Sequence, residues 1–96
     1  MPLVLVVYDI GDNDARRKYS DYLKAKGLVR LQRSMFMGKI SSQTLKDIVR
    51  VSRKYIDEDK DIIHIIPITL YAYNHITVLG KPFTDIRRER LAIVQA

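Results

Sequence analysis

A two-layer α+β sandwich is the fold class that this 96-residue sequence predicts, and three observations carry the prediction. Residues 3–8 are a short, wholly apolar run and residues 62–66 a second apolar run of four isoleucines around His64, both rich in branched side chains, the mark of buried strands. Between them, two sets of apolar residues recur at helical spacing, and residues 28–40 alternate as a strand does. The first run delivers one carboxylate, Asp9, at its end. A rigid strand holding a charged group at the carboxyl edge of a sheet makes Asp9 the leading candidate for chemistry.

The elements follow in order. After the first strand, Asp12 offers an N-cap, and Ala15, Tyr19, Tyr22 and Leu23 trace one face of an amphipathic helix. That helix should end at Lys24-Ala25-Lys26-Gly27, where cations complement the helix dipole and glycine supplies a left-handed cap. In residues 28–40, Val29, Leu31, Met35 and Met37 share a face, but Arg33 falls among them. Either one strand lets Arg33 escape at an edge, or the chain turns near Gln32-Arg33-Ser34 and makes two short strands; the turn is favoured. Ser41 and Ser42 then offer N-caps for a second helix with a buried stripe of Leu45, Ile48, Val49, Ser52 and Ile56. It runs into an acidic turn at Asp57-Glu58-Asp59 and Asp61, and the second apolar run should be a well-buried strand stopping near Pro67. Residues 75–79 make a short final strand.

Strand, helix, two strands, helix, strand is the βαββαβ order of a ferredoxin-like sandwich, with both helices on one sheet face. Residues 1–80 are read as that domain and residues 81–96 as a C-terminal tail, helix or strand, serving as an added strand or partner-docking segment. The face away from the helices needs cover. Phe36 and other apolar residues placed there predict a homodimer formed through the sheet faces.

Composition narrows the function. Seventeen Lys and Arg against eleven Asp and Glu give a formal charge of +6 and favour a polyanionic partner, RNA or DNA first. With no cysteine, disulfides and thiolate metal sites are excluded. No apolar run is long enough to span a bilayer, so a cytoplasmic location without membrane association is the expectation. His64 and His75 lack ligand spacing and read as structural, while Asp12 and Asp14 read as helix-capping and first-turn acids rather than as metal ligands.

Several segments taken together carry a resemblance. Val6-Val7-Tyr8-Asp9-Ile10 with Arg16, then residues 27–38 (GLVRLQRSMFMG), Ile65-Ile66-Pro67-Ile68 and Val78-Leu79-Gly80 stand in an order and spacing similar to the CRISPR-associated Cas2 family. The resemblance covers the chain to about Gly80. It implies a ferredoxin-like homodimer in which Asp9 faces its symmetry mate, and metal-dependent phosphodiester hydrolysis of single-stranded RNA or double-stranded DNA. It also implies a bridging role between dimers of the Cas1 integrase during spacer acquisition. Mg²⁺ is the implied cofactor, with Asp9 as both catalytic residue and metal ligand. Tyr8, Arg16, Arg30, Ser34 and Phe36 match family positions and are the expected substrate contacts: Arg16 and Arg30 for phosphate oxygens, Tyr8 and Phe36 for a base, Ser34 for substrate or water. A core role for Tyr8, surface solvation for Arg16 and, less so, for Arg30, and turn or dimer-interface roles for Ser34 and Phe36 compete with these. The alternatives at the level of the whole protein are a non-catalytic DNA-binding scaffold, a toxin-type ribonuclease of the same fold, and a regulatory domain.

Overall fold

The computed structural model describes residues 1–81 and the backbone of residues 93–95. Strand β1 (Leu3–Asp9) leads into α1 (Asn13–Ala25), and β2 (Val29–Gln32) and β3 (Met35–Lys39) form a hairpin. Helix α2 (Ser42–Ser52) runs into a single 3₁₀ turn, Arg53–Tyr55, before β4 (Ile62–Ile68), α3 (Leu70–Asn74) and β5 (Ile76–Val78). A short strand β6 (Ile93–Gln95) pairs parallel with β5. The expected tail otherwise lies outside the described residues.

Strands β2, β3, β1 and β4 make one sheet in that order, every neighbour antiparallel. This is the ferredoxin-like order, with β1 central. Its alternation divides the strand cleanly. Val4, Val6 and Tyr8 enter the main core with Phe36 of β3, Tyr19 and Leu23 of α1, and Ile48 of α2. Leu3 and Leu5 join the opposite face with Met37, Leu31 and Ile68, where Tyr73 of α3 and Ile76 of β5 cover part of the sheet.

Local chemistry sets the boundaries. The Asp12 carboxylate accepts from the Ala15 amide at 2.8 Å, and the Ser41 hydroxyl from the Thr44 amide at 3.0 Å, so both long helices start where a side chain satisfies an otherwise unpaired donor. Gly27 takes φ of 95° and ends α1 in the left-handed turn that glycine allows. Between β2 and β3 the chain turns at Arg33 and Ser34, with a register shift between Arg30 and Gln32. That irregularity accounts for the misplaced charge, because Arg33 leaves the sheet altogether.

The structure corrects four expectations. Val49 is half exposed, so the buried stripe of α2 is narrower than its apolar spacing implies. Strand β4 is an edge strand rather than a fully buried one: Ile62 and Ile66 are exposed on the face away from the helices. It continues through Pro67, whose missing donor an edge position tolerates. Phe36 faces the helices, paired across from Val6, and is not on the open face. Finally, α3 stands where the sequence pattern predicts no helix; five residues are too few for periodicity to be legible.

Tyr19 joins the two helices. Its hydroxyl and that of Ser52 are 2.7 Å apart, both side chains are buried, and the ring meets Tyr8 edge-on at 5.0 Å. Replacing Tyr19 by Phe should cost about 1–2 kcal/mol, since it strands the Ser52 hydroxyl. A lower urea midpoint with unchanged slope checks this. Burial also pushes the Tyr19 hydroxyl up to about 12. The native chain therefore keeps a proton that the unfolded chain loses near pH 10, and stability falls as pH rises from about 10 to 12. Tyr19→Phe should flatten that alkaline decline.

Candidate active site and nucleic-acid interface

Asp9 is the last residue of β1, and its side chain is exposed on the sheet face away from the helices. It gets there by alternation: Tyr8, one residue earlier, turns into the core. Three contacts hold the strand end in place. The Tyr8 amide donates to the Ser34 carbonyl at 3.1 Å, extending the β1–β3 pairing into the hairpin turn. Arg16 donates through Nη1 to the Ile10 carbonyl at 2.9 Å. The Gly11 amide donates to Asp61 Oδ1 at 3.0 Å. Between these last two contacts, Ile10 is buried in the main core. The Asp9 backbone is thus anchored by what surrounds it, while its carboxylate projects into solvent.

The remaining residues of the predicted site divide into three groups. Arg16 and Arg30 come together in a cleft of about 310 Å³ between α1 and the β2–β3 hairpin, with Arg17, Lys24 and Arg33 also on its walls and Asp21 as the single acid among the described residues. Five cations against one carboxylate make the cleft strongly electropositive. Two of the arginines already have local duties. Arg16 also hydrogen-bonds the Asn13 side chain, and Arg17 pairs with Asp14 at 2.6 Å on the exposed face of α1. An exposed pair of that kind is weak in water and leaves the guanidinium available to phosphate.

Tyr8 and Phe36 form the second group and belong to the main core. Tyr8 is 4% exposed and Phe36 0%; their rings stack at 6.3 Å, and the Arg30 guanidinium sits 5.1 Å from the Phe36 centroid. Burial raises the Tyr8 pKa, offset in part by Arg30 and then Arg16. In this arrangement neither ring can reach a base, which corrects the expectation of stacking; Phe36 instead lies beneath Arg30. Ser34 is the third case, half-buried in the β2–β3 turn, where its carbonyl rather than its hydroxyl has the visible partner.

The structure places two further residues near Asp9 in the fold. His64 lacks ligand spacing and so reads as structural, yet it is exposed on β4 opposite Val7, on the same sheet face as Asp9. Its register opposite Val7, which no local pattern specifies, places it there. Asp61 reads only as part of an acidic turn. Its carboxyl is held below the usual range by the amide donors of Gly11 and Asp57, and it anchors the loop that follows Asp9. Asp12 and Asp14 behave as expected, as an N-cap and as the partner of Arg17 and Lys18.

A strand-end carboxylate on one sheet face and a basic cleft on the other, in a ferredoxin-like order, accompany a match to the family described as CRISPR associated protein Cas2 over residues 1–76. The chain belongs to the Cas2 family. Among relatives, it is 31% identical over 88 residues to the CRISPR-associated endoribonuclease Cas2 1 of Archaeoglobus fulgidus, covering 92% of this chain and 94% of that one. It is 42% identical over 60 residues to a Cas1/Cas2 endonuclease fusion of Thermoproteus tenax, covering 62% of this chain but 23% of that longer protein. The crystal structure of a hypothetical protein from Thermus thermophilus superposes with a TM-score of 0.73 at 32% identity, covering 84% of this chain and 93% of that one.

As a Cas2 member the chain carries one exposed carboxylate at the position that the family resemblance marks. Among the described residues no three His, Cys, Asp or Glu side chains gather as a metal site. No helix among them is long and apolar enough to cross a membrane.

Proposed function

We propose that this Cas2 protein is a metal-dependent endonuclease that cleaves phosphodiester bonds of single-stranded RNA or duplex DNA, acts as a homodimer, and serves spacer acquisition with a Cas1 integrase. The observation that carries the proposal is Asp9: an exposed carboxylate on a strand end whose backbone is fastened by Ser34, Arg16 and Asp61. A backbone held in this way presents the carboxylate from a rigid element, as a metal-binding or catalytic group requires. The relatives' names, endoribonuclease and endonuclease, support the same reading.

One protomer supplies a single ligand, so the site needs a second copy. Among the described residues this sheet face is left partly open, with Ile62 exposed opposite Asp9 and Ile66 exposed opposite Leu5, and supplies apolar surface for that contact. Two Asp9 carboxylates brought together repel, and a hard divalent cation relieves the repulsion. The donor set fits Mg²⁺, which takes one or two carboxylates and completes its shell with water and phosphate oxygens. When bound there, Mg²⁺ would supply polarisation of the phosphoryl group and a lowered pKa for water.

The chain's own residues do the rest. Arg30 and Arg33 neutralise backbone phosphates and orient the strand, Arg16 divides its guanidinium between the cleft and the Ile10 carbonyl, and Asp9 holds its charge at the scissile group. Arg33→Ala should weaken binding to all sequences alike and make the slope of log K against log salt shallower by about 0.7–0.9 for each phosphate that Arg33 neutralises.

The second reading is a non-catalytic scaffold that grips DNA through the cleft and bridges Cas1. What favours it is that the cleft and Asp9 open on opposite faces of the sheet, and that one relative joins both proteins in a single polypeptide. Cleavage of labelled single-stranded RNA and duplex DNA, with and without Mg²⁺, by the native protein and Asp9→Asn separates the two.

A further inference from the structure

We propose that Asp61 is a positioning residue for Asp9, a carboxylate clamp that takes over where the β1–β4 ladder ends and fixes the last turn of chain that carries the metal-binding group. The inference rests on the reading of Asp9 as the catalytic carboxylate.

The ladder between β1 and β4 runs from Leu3 opposite Ile68 to Asp9 opposite Ile62. The next pair in that register would be Ile10 and Asp61. It does not form: β1 ends at Asp9 and the chain leads off toward α1. Asp9 is therefore a terminal strand residue, where ladders fray most readily. Asp61 replaces the missing rung with its side chain. One oxygen accepts from the Gly11 amide at 3.0 Å, the other from the Asp57 amide at 3.0 Å, and the Asp61 amide donates to the Asp57 carbonyl at 2.8 Å. Both carboxylate oxygens are thus engaged, one on the loop after Asp9 and one inside the turn before β4. From the other side Arg16 holds the Ile10 carbonyl at 2.9 Å. Two consecutive residues after Asp9 are pinned by opposite charges from two different elements.

A clamp with this geometry constrains where the Asp9 carboxylate points without touching substrate. Removing it should loosen metal binding and slow the chemical step, and leave nucleic-acid affinity alone, because the basic cleft does not contain Asp61.

The test compares Asp61→Ala, Asp61→Asn and Gly11→Pro with the native protein and with Gly11→Ala. Gly11→Pro deletes the donor while leaving Asp61 intact. Gly11→Ala keeps the donor, and its added methyl would meet Asp61 Oδ1 at 3.7 Å, an ordinary contact, so it is the neutral control. Three quantities are measured: Mn²⁺ affinity without substrate, nucleic-acid affinity in chelator, and the separate kcat and KM for cleavage. The clamp predicts that Asp61→Ala and Gly11→Pro each lower Mn²⁺ affinity and kcat by about 10–100-fold, with KM and nucleic-acid affinity unchanged. Asp61→Asn should fall between, since its amide oxygen still accepts from Gly11 while its NH₂ faces a donor. Native Mn²⁺ affinity and kcat in Asp61→Ala and Gly11→Pro overturn the clamp. If Asp61→Ala fails to fold, Asp61→Asn and Gly11→Pro decide, and native values in both have the same force. Asp9→Asn in the same assays keeps the two claims apart: loss of Mn²⁺ binding and kcat there, with neither lost in the Asp61 variants, removes the clamp and leaves the role of Asp9 standing. Native behaviour of Asp9→Asn removes that role instead.

Discussion

Asp9→Asn should reduce metal-dependent cleavage by about 10²–10³-fold while leaving the fold and nucleic-acid binding intact. The amide has the size of the carboxylate but no charge to offer a hard cation, and in a homodimer the change is made twice at one site. Nothing in the core depends on it, because the side chain is exposed and the strand end is fastened through backbone groups of Tyr8, Ile10 and Gly11. Melting temperature and salt-dependent binding should therefore match the native protein, and the whole difference should lie in kcat. Raising Mg²⁺ should recover little, since the lost ligand is structural to the site. Equal rates for the two proteins would exclude Asp9 from catalysis and favour the scaffold reading, under which binding and Cas1-dependent spacer insertion persist without cleavage.

Phe36→Ala should destabilise the protein by about 3–5 kcal/mol. The ring is 0% exposed, packs on Tyr8 and lies beneath the Arg30 guanidinium at 5.1 Å, so truncation opens a cavity beneath Arg30 as well as in the main core. A small domain has about 5–15 kcal/mol in total, which makes this loss a large part of it. The informative companion is Phe36→Leu, which fills most of the volume but has no aromatic face to offer a base. It should restore stability to within about 1.5 kcal/mol of native and retain cleavage and binding. If Phe36→Leu folds normally yet loses nucleic-acid affinity, the ring takes part in binding, either by holding Arg30 in place or by leaving the core to meet a base.

Most of the fold is legible along the chain because it rests on short-range patterns. The apolar run before Asp9, the cap at Asp12, the glycine stop at Gly27 and the turn forced by Arg33 each have a local physical cause. The departures share a different cause. Apolar residues predict burial but not which face or which neighbour; Phe36, Ile62 and Val49 stand elsewhere than their patterns imply because strand and helix spacing cannot say what lies opposite. Strand position is also invisible locally: β4 reads like a central strand, and only the sheet order makes it an edge.

The site divides along the same line. By itself the sequence determined the βαββαβ succession, the placement of Asp9 at a strand end and the excess of cations, since each follows from residue type and periodicity along the chain. Tertiary structure alone decided that Arg16, Arg30 and Arg33 share one cleft, that Tyr8 and Phe36 are buried with Phe36 beneath Arg30, and that Asp61, fifty residues from Gly11, secures the loop beside Asp9. Those facts depend on which strands pair and in what register, and pairing is a free-energy choice made by the whole chain rather than by any segment of it.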